Sequence, residues 1–274
     1  MTKKQELRKK PARPLVVVTG ASSGIGEAFA RRFASDGYDL LVVARREDRL
    51  KTLAAELQER ECVTVEELSL DLTDEDDLRS LEKKIARAER IQCLVNNAGY
   101  MTPTTFVESD ADAWEAMIRL HVLATVRLTH AALPRMIAHG GGNIINLGSV
   151  AGFFPLPRHV LYGATKAFVL EFTEALRQEL DGTGVRVQAL CPGWTRTELL
   201  DRPGFDKSAI TDPWWCTAEE AVDYSLKSLR HGRLVCIPGW QYRTLVRVTR
   251  VIPRTLLRWI IRKNADKINV ATRR

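Results

Sequence analysis

The chain has 274 residues, 45% of them hydrophobic, enough for one large core, and no linker divides it, so a single domain is expected. Its net charge of +7 conceals a division: residues 1–13 carry six Lys/Arg and one acid, residues 14–223 carry 22 basic and 32 acidic side chains, and residues 224–274 carry 13 basic and one acidic. Five scattered cysteines with no CxxC pair exclude a disulfide frame and a thiolate metal site, no apolar run approaches a membrane span, and the acidic body leaves nucleic acid out as a partner.

Residues 1–13 read as a disordered basic tail, and their lack of an apolar signal core points to a cytoplasmic protein. Residues 15–19, LVVVT, form a β-branched strand buried on both faces. A glycine turn follows, GASSGIG (20–26), then a helix over 27–37 whose apolar positions Ala28, Phe29, Ala30 and Phe33 recur at helical spacing. Strand, helix and strand come next, at 38–44, 46–60 and 63–70. Thr73 with Asp76 three residues on predicts a capping box opening a third helix over 74–88. A fourth strand (91–99) runs into a loop, a long helix spans about 110–137, and NIINL (143–147) is the fifth strand. A helix over 160–180 and a sixth strand over 185–193 follow. The irregular stretch 195–213 is either a substrate lid or a plain surface excursion. Thr217 and Glu220 then cap a helix running to His231, and residues 233–239 supply a seventh strand. Such alternation makes this an α/β chain: over 14–239, a doubly wound, Rossmann-like sandwich with a parallel seven-stranded sheet, helices on both faces and right-handed crossovers.

Two stretches carry candidate chemistry. Gly20, Gly24 and Gly26 stand where the first strand turns into the first helix, with Ser22, Ser23 and Ile25 between them. The first glycine allows the tight turn, the second lets backbone approach a pyrophosphate, the third permits close packing, and the helix N-terminus favours negative charge. At the end of the second strand, where a carboxylate would take the ribose diol of NAD, the chain has Ala44, Arg45 and Arg46. A guanidinium there favours a 2′-phosphate and hence NADP(H), with Arg45 the better placed and Ser22 or Ser23 as hydroxyl donors. Asp71, followed by Leu72, is either an acceptor for the adenine amino group or a loop carboxylate near a helix start.

The second stretch is 143–166. Ser149 follows the fifth strand, and Tyr162 and Lys166 lie four apart on one helix face. A phenol with a reference pKa near 10 is a poor proton shuttle at neutral pH, and a lysine ammonium one turn away lowers that pKa. Ser149 then orients a carbonyl or alcohol oxygen.

Together, TGASSGIG (19–26), Asp71, Asn96-Asn97-Ala98-Gly99, Ser149, Tyr162-Gly-Ala-Thr-Lys166 and Pro192-Gly193 with Thr195 and Thr197 resemble the short-chain dehydrogenase/reductase family, over about residues 15–239. The resemblance implies that Tyr162 is the acid/base, that Lys166 lowers its pKa and holds the nicotinamide ribose, and that Ser149 orients the substrate oxygen. It implies that Asn97, Ala98 and Gly99 steady the sheet and line the adenine-ribose side, and that Pro192, Gly193, Thr195 and Thr197 meet the nicotinamide. The activity implied is NADP(H)-dependent interconversion of a ketone and a secondary alcohol. A protein of this fold that senses NADP(H) without turnover is the alternative, and the intact serine, tyrosine and lysine argue against it. A homodimer or homotetramer is also implied, with Trp114, Met117, Val122, Val126, Leu133, Phe168, Phe172 and Leu176 as its apolar contacts. Where the family carries an asparagine in the long helix the chain has His121, read as taking over a proton relay from Lys166 and adding a neutral-range inflection to the pH–rate profile.

Residues 240–274 read as a basic amphipathic extension. From 224 to 265 there is no acid among ten Lys/Arg. As a helix broken at Pro253, the segment places Arg243, Arg247, Arg250, Arg254, Arg258 and Arg262 on one face and Leu245, Ile252, Leu256, Trp259 and Ile260 on the other. That pattern suits peripheral binding to an anionic membrane on its inner face, with a lipid-like, 3-oxoacyl-type ketone as substrate. The alternative is an apolar face that covers the cleft or a sister subunit.

Overall fold

Val16 and Val18 of the first strand enter one hydrophobic core and Val17 the other, all three fully buried, because successive strand side chains point to opposite faces of a sheet. This is the computed structural model of the chain, and it describes residues 13–102, 105–201, 208 and 210–263. β1 (Leu15–Thr19) lies between β2 (Asp39–Ala44) and β4 (Ile91–Asn96). With β3 (Val65–Ser69), β5 (Gly142–Leu147), β6 (Val185–Leu190) and β9 (Val235–Cys236), the seven strands run parallel in the order β3-β2-β1-β4-β5-β6-β9.

Helices α1 (Gly24–Ser35), α2 (Glu47–Glu61) and α7 (Ala218–Arg230) cover one face through Phe29, Leu50, Leu53 and Val222. Helices α3 (Glu75–Arg87), α5 (Ala124–Ala138) and α6 (Val160–Glu179) cover the other through Leu81, Leu128 and Leu176. Fully burying one such side chain is worth roughly 1.5–3 kcal/mol, so Leu94→Ala, in the middle of the sheet, costs about 2–5 kcal/mol once its cavity is counted. The strand order reverses between β1 and β4, which opens a crevice beyond the strands' carboxyl ends.

Several local expectations are corrected. The third helix is capped by Asp74, not Thr73: Asp74 Oδ1 accepts from the backbone N–H of Asp76 and Asp77, both at 3.0 Å, while the Thr73 hydroxyl donates to Asp71 at 2.8 Å. The Thr217–Glu220 capping box forms as expected. The long helix runs from α4 (Ala111–Ile118) into α5 through one π-helical turn, Arg119–Leu123, whose widened register turns His121 inward. The seventh strand keeps only two residues, Val235 and Cys236, which pair with Ala189 and Leu190 of β6. A second, two-stranded sheet joins β7 (Thr195–Arg196) to β8 (Cys216–Thr217), a long-range pairing that no local pattern announces. Cys93, Cys191, Cys216 and Cys236 are free and buried, and Cys62 is free and exposed.

The basic extension does form two helices, α8 (Trp240–Val251) and α9 (Arg254–Lys263), parted before Pro253. Among the described residues no helix is long and apolar enough to cross a membrane. The arginines keep one stripe on each helix, Arg243, Arg247 and Arg250 on α8 and Arg254, Arg258 and Arg262 on α9, but the stripe of α8 is turned partly onto the body. Arg243 lies over the Tyr224 ring and donates to Ile237 O, and Arg250 lies over Phe153, 3.9 Å from Glu174. Tyr242, Val246 and Ile261 are buried, while Trp240, Val248, Val251, Leu256 and Trp259 are exposed. The body supplies aromatic rings and carbonyls that take guanidinium groups, and these contacts set the helix rotation. Of the apolar groups expected at a subunit contact, Met117 and Leu176 are buried and Leu133 and Phe172 pack on the core; Ile118, Leu123, Ile137 and Phe168 are the exposed ones nearby. Residues 1–12, 202–207, 209 and 264–274, which hold most of the expected tail, part of the expected lid and the end of the extension, lie outside the described residues.

Candidate active site

The turn after β1 carries glycine at positions 20 and 24, and its geometry requires that. Gly20 and Gly24 take φ values of 67° and 58°, and a Cβ on them would stand 2.8 Å from Asn97 Nδ2 and 2.9 Å from Thr197 Cγ2 respectively. Gly26 packs beneath the turn, where a Cβ would collide with Gly20 O. Ser23, the N-cap of α1, makes no side-chain cap bond, so the helix N-terminus stays available to an anion. Thr19 Oγ1 accepts from the N–H groups of Asn97 and Ala98, and the Asn97 amide donates to Thr19 O and Gly20 O, which ties the Asn-Asn-Ala-Gly loop to the glycine turn.

These pieces enclose a cleft of about 320 Å³. Gly20, Ser22, Ser23, Gly24 and Ile25 form one wall, Arg45, Asp71 and Leu72 close one end, and Asn97, Ala98, Gly99 and Thr197 complete it. Arg45 is exposed, its Nη1 3.5 Å from Asp71 Oδ2. Burial pushes the Asp71 carboxyl up, but bonds from Thr73 and the Arg45 charge outweigh that and hold it below the usual carboxylate range.

Arg46, rated below Arg45 on sequence, is the more deeply engaged of the two. It donates to Ser22 Oγ (3.1 Å), Ser22 O (3.2 Å) and Ser23 Oγ (2.7 Å), and its Nη1 lies 2.8 Å from Glu198. Glu198 also pairs with Arg49, and bonds from the two arginines hold its carboxyl below the usual range. No sequence signal marks Glu198, which meets Arg46 across 152 positions.

Beyond Leu147, which lines the cleft and whose carbonyl Lys166 reaches, stand the candidate catalytic groups; none of the three lines the cleft itself. Ser149 Oγ accepts from Ala151 N–H at 3.1 Å, and its hydroxyl is near enough to Tyr162 to favour the phenolate. Lys166 is 4% exposed; its Nζ donates to Leu147 O at 2.7 Å and lies 5.7 Å from the Tyr162 ring centre. Burial lowers the Lys166 pKa to about 8. Burial also raises Tyr162, outweighing the effect of Ser149, so in the protein by itself Lys166 does not bring the phenol down as expected. Tyr162 is therefore a protonated donor at neutral pH.

His121 does not take the relay role. Its Nε2 accepts from Tyr100 N–H at 3.0 Å, and its Nδ1 lies 2.9 Å from Thr165 Oγ1, whose own proton goes to Tyr162 O. The neutral Nδ1–H tautomer satisfies both bonds and leaves neither nitrogen for water. Burial, with the Lys166 charge adding to it, drives its pKa well down.

Of the nicotinamide-side residues, Thr197 lines the cleft, while Pro192, Gly193 and Thr195 do not. Pro192 O accepts from Val150 N–H, and the Thr195 hydroxyl donates to Gly193 O. Tyr242 of α8 packs flat on Gly193, where a Cβ would collide with its ring. Its Oη accepts from Trp194 N–H at 2.9 Å and donates to Trp214 O at 2.5 Å.

A profile of the short chain dehydrogenase family matches residues 14–204. The chain belongs to the short-chain dehydrogenase family. It is 46% identical over 199 residues to sulfoacetaldehyde reductase 2 of Chromohalobacter salexigens, covering 71% of this chain and 78% of that one. It is 31% identical over 264 residues to the very-long-chain 3-oxoacyl-CoA reductase of Macaca fascicularis, covering 94% of this chain and 80% of that one. A short-chain dehydrogenase from Sphingobium yanoikuyae, solved in complex with NADPH, superposes with a TM-score of 0.79 at 39% identity, covering 95% and 96% of the two chains. Short-chain dehydrogenases are oxidoreductases whose fold binds a nicotinamide cofactor, and the glycine turn, the uncapped helix N-terminus and the paired arginines here fit such a dinucleotide.

Proposed function

We propose that this protein is an NADP(H)-dependent reductase of a hydrophobic, 3-oxoacyl-type carbonyl. The observation that carries this reading is the grouping of Ser149, Tyr162 and buried Lys166 behind Leu147, which lines a cleft that also holds Arg45 and Arg46. The NADPH complex of the Sphingobium yanoikuyae relative supports the choice of cofactor.

When bound, the nicotinamide supplies a hydride to the carbonyl carbon. Tyr162 gives its phenolic proton to the carbonyl oxygen. Ser149, oriented by Ala151 N–H, donates a second bond to the charge growing on that oxygen, a contact whose removal costs roughly a hundred- to thousandfold in turnover. Lys166, with a pKa of about 8, is an ammonium at neutral pH and offsets the charge left on the phenolate.

A groove of about 610 Å³ on another face of α6 from Tyr162 and Lys166 is lined by Phe153, Phe154, Leu156 and Val160, with Arg250, Arg254 and Arg258 from the C-terminal helices. The apolar, 3-oxoacyl-type substrate is supported by the 3-oxoacyl-CoA reductase relative. The exposed Trp240, Val251 and Trp259 among arginines support peripheral binding to anionic lipid; flotation with anionic vesicles at low salt tests it, and equal recovery of a chain ending at Gly239 refutes it. The deciding experiment for the function follows NADPH and NADH oxidation over aliphatic, aromatic and 3-oxoacyl ketones with wild type and Tyr162→Phe. Turnover is expected with NADPH and lost by several orders of magnitude in the variant, with NADPH binding retained. Tight binding without turnover on any ketone means a non-catalytic NADP(H)-binding protein.

A further inference from the structure

The loop leading into α6 holds two residues that the proposed reaction does not use. Arg158 takes a φ of 64°, one of two non-glycine residues with a positive φ among those described. For a bulky side chain that conformation is strained and persists only where the surroundings impose it. The Nε of Arg158 is buried with no hydrogen-bond partner, and the same is true of Nδ1 of His159, which is 6% exposed. Buried polar groups are almost always paired, so two adjacent exceptions call for a physical reason.

Both side chains line one small cavity together with Thr102, Trp114 and Tyr162. Its volume of about 20 Å³ admits a single oxygen atom, so only the tip of a substrate group enters it. His159 is also the N-cap of the 20-residue α6 and makes no side-chain cap bond, and the first turn of that helix has no acidic residue. The positive end of the helix dipole therefore adds to the Arg158 charge. Burial, with Arg158 alongside, lowers the His159 pKa to about 4, so the ring is neutral at pH 7 and can donate a hydrogen bond without a second charge. A guanidinium, a neutral imidazole donor and a helix N-terminus converging beside an acid/base tyrosine are the chemistry of an oxyanion receptor.

We propose that Arg158 and His159 form an oxyanion subsite next to Tyr162, and that the substrate is a carbonyl compound carrying a carboxylate, sulfonate or similar oxyanion within a few bonds of its carbonyl carbon. This deepens the reductase reading and rests on it. Val160 lines both this cavity and the groove formed by Phe153, Phe154 and Leu156.

The test compares matched pairs with NADPH: 3-oxooctanoate against its methyl ester, and 2-oxopropanesulfonate against 2-butanone. Wild type is expected to favour the anionic member by about ten- to a hundredfold in kcat/KM, the range of a hydrogen bond to a charged group. The two pairs tell carboxylate from sulfonate preference. Arg158→Gln should collapse the anion-to-neutral ratio through KM, Arg158→Lys should restore part of it, and His159→Phe should lower it less than Arg158→Gln does. Equal kcat/KM for the members of both pairs in wild type, or a ratio unmoved by Arg158→Gln, overturns the subsite. If neither pair turns over with NADPH or NADH, the reductase reading fails, and the subsite is judged by calorimetric titration of 3-hydroxyoctanoate and propanesulfonate into the protein. Binding that Arg158→Gln abolishes upholds it, and no binding to wild type refutes it.

Discussion

Replacing His121 by Phe probes the buried network behind the tyrosine. The phenyl ring keeps the edge contacts that the imidazole makes with Tyr100 and Tyr162, at 5.8 and 5.9 Å between ring centres. It removes the acceptor for Tyr100 N–H and the donor to Thr165 Oγ1. Leaving a buried donor unpaired costs about 1–3 kcal/mol, so at pH 7.5 the variant should melt roughly 4–8 °C lower for a loss of about 2 kcal/mol. The pH dependence separates this from mere repacking. His121 has a folded pKa driven well below its unfolded value near 6.5, so below that pH the unfolded chain binds a proton that the folded chain refuses. Stability is complete above 6.5 and falls as pH drops from there towards the folded pKa; between pH 6.5 and 5 the loss is about 1–2 kcal/mol. The ionisable groups packed against the ring are Tyr100, Tyr162 and Lys166, and none is a carboxylate that would mask the effect. Phenylalanine cannot take up that proton, so denaturant unfolding should show the gap between wild type and His121→Phe nearly closing by pH 5. A gap that stays constant from pH 7.5 to 5 would refute a neutral, doubly bonded imidazole. The pH–rate profile of wild type should likewise show no inflection near 6.5.

Glu198→Gln removes the carboxylate that holds Arg46 and Arg49, and should tighten NADPH binding about three- to tenfold while leaving NADH unchanged, the worth of two exposed ion pairs; an unaltered NADPH/NADH ratio of Kd contradicts the idea. Above pH 8 the Lys166 ammonium is lost, so kcat/KM should fall with an alkaline limb near the group's pKa of about 8, and Lys166→Arg should move that limb upward; a flat profile to pH 9.5 rules this out. Tyr242→Phe leaves the ring on Gly193 but unpairs Trp194 N–H, and calorimetry should find a melting point lower by roughly 2–8 °C; an unchanged value would mean water replaces the hydroxyl.

Local sequence determined most of the scaffold. Alternating apolar strands and amphipathic helices depend on near neighbours, so LVVVT, the glycine turn and the Tyr162/Lys166 helix face were legible, and with them the doubly wound sheet and the candidate catalytic groups. What tertiary structure alone decided are contacts between distant positions. The Glu198 clasp on Arg46 and Arg49, the turning of His121 onto Tyr100 and Thr165, and the packing of Tyr242 on Gly193 each join residues at least 21 positions apart. The C-terminal helices make the point most plainly. Their spacing predicted a face of arginines opposite a face of apolar groups, but a helix rotates to satisfy the surface it lands on, and this one offers the Tyr224 and Phe153 rings to Arg243 and Arg250 and a bare Gly193 to Tyr242. Periodicity specifies that a helix has two faces; only the packed neighbour, through burial and guanidinium–ring attraction, determines which residues face it.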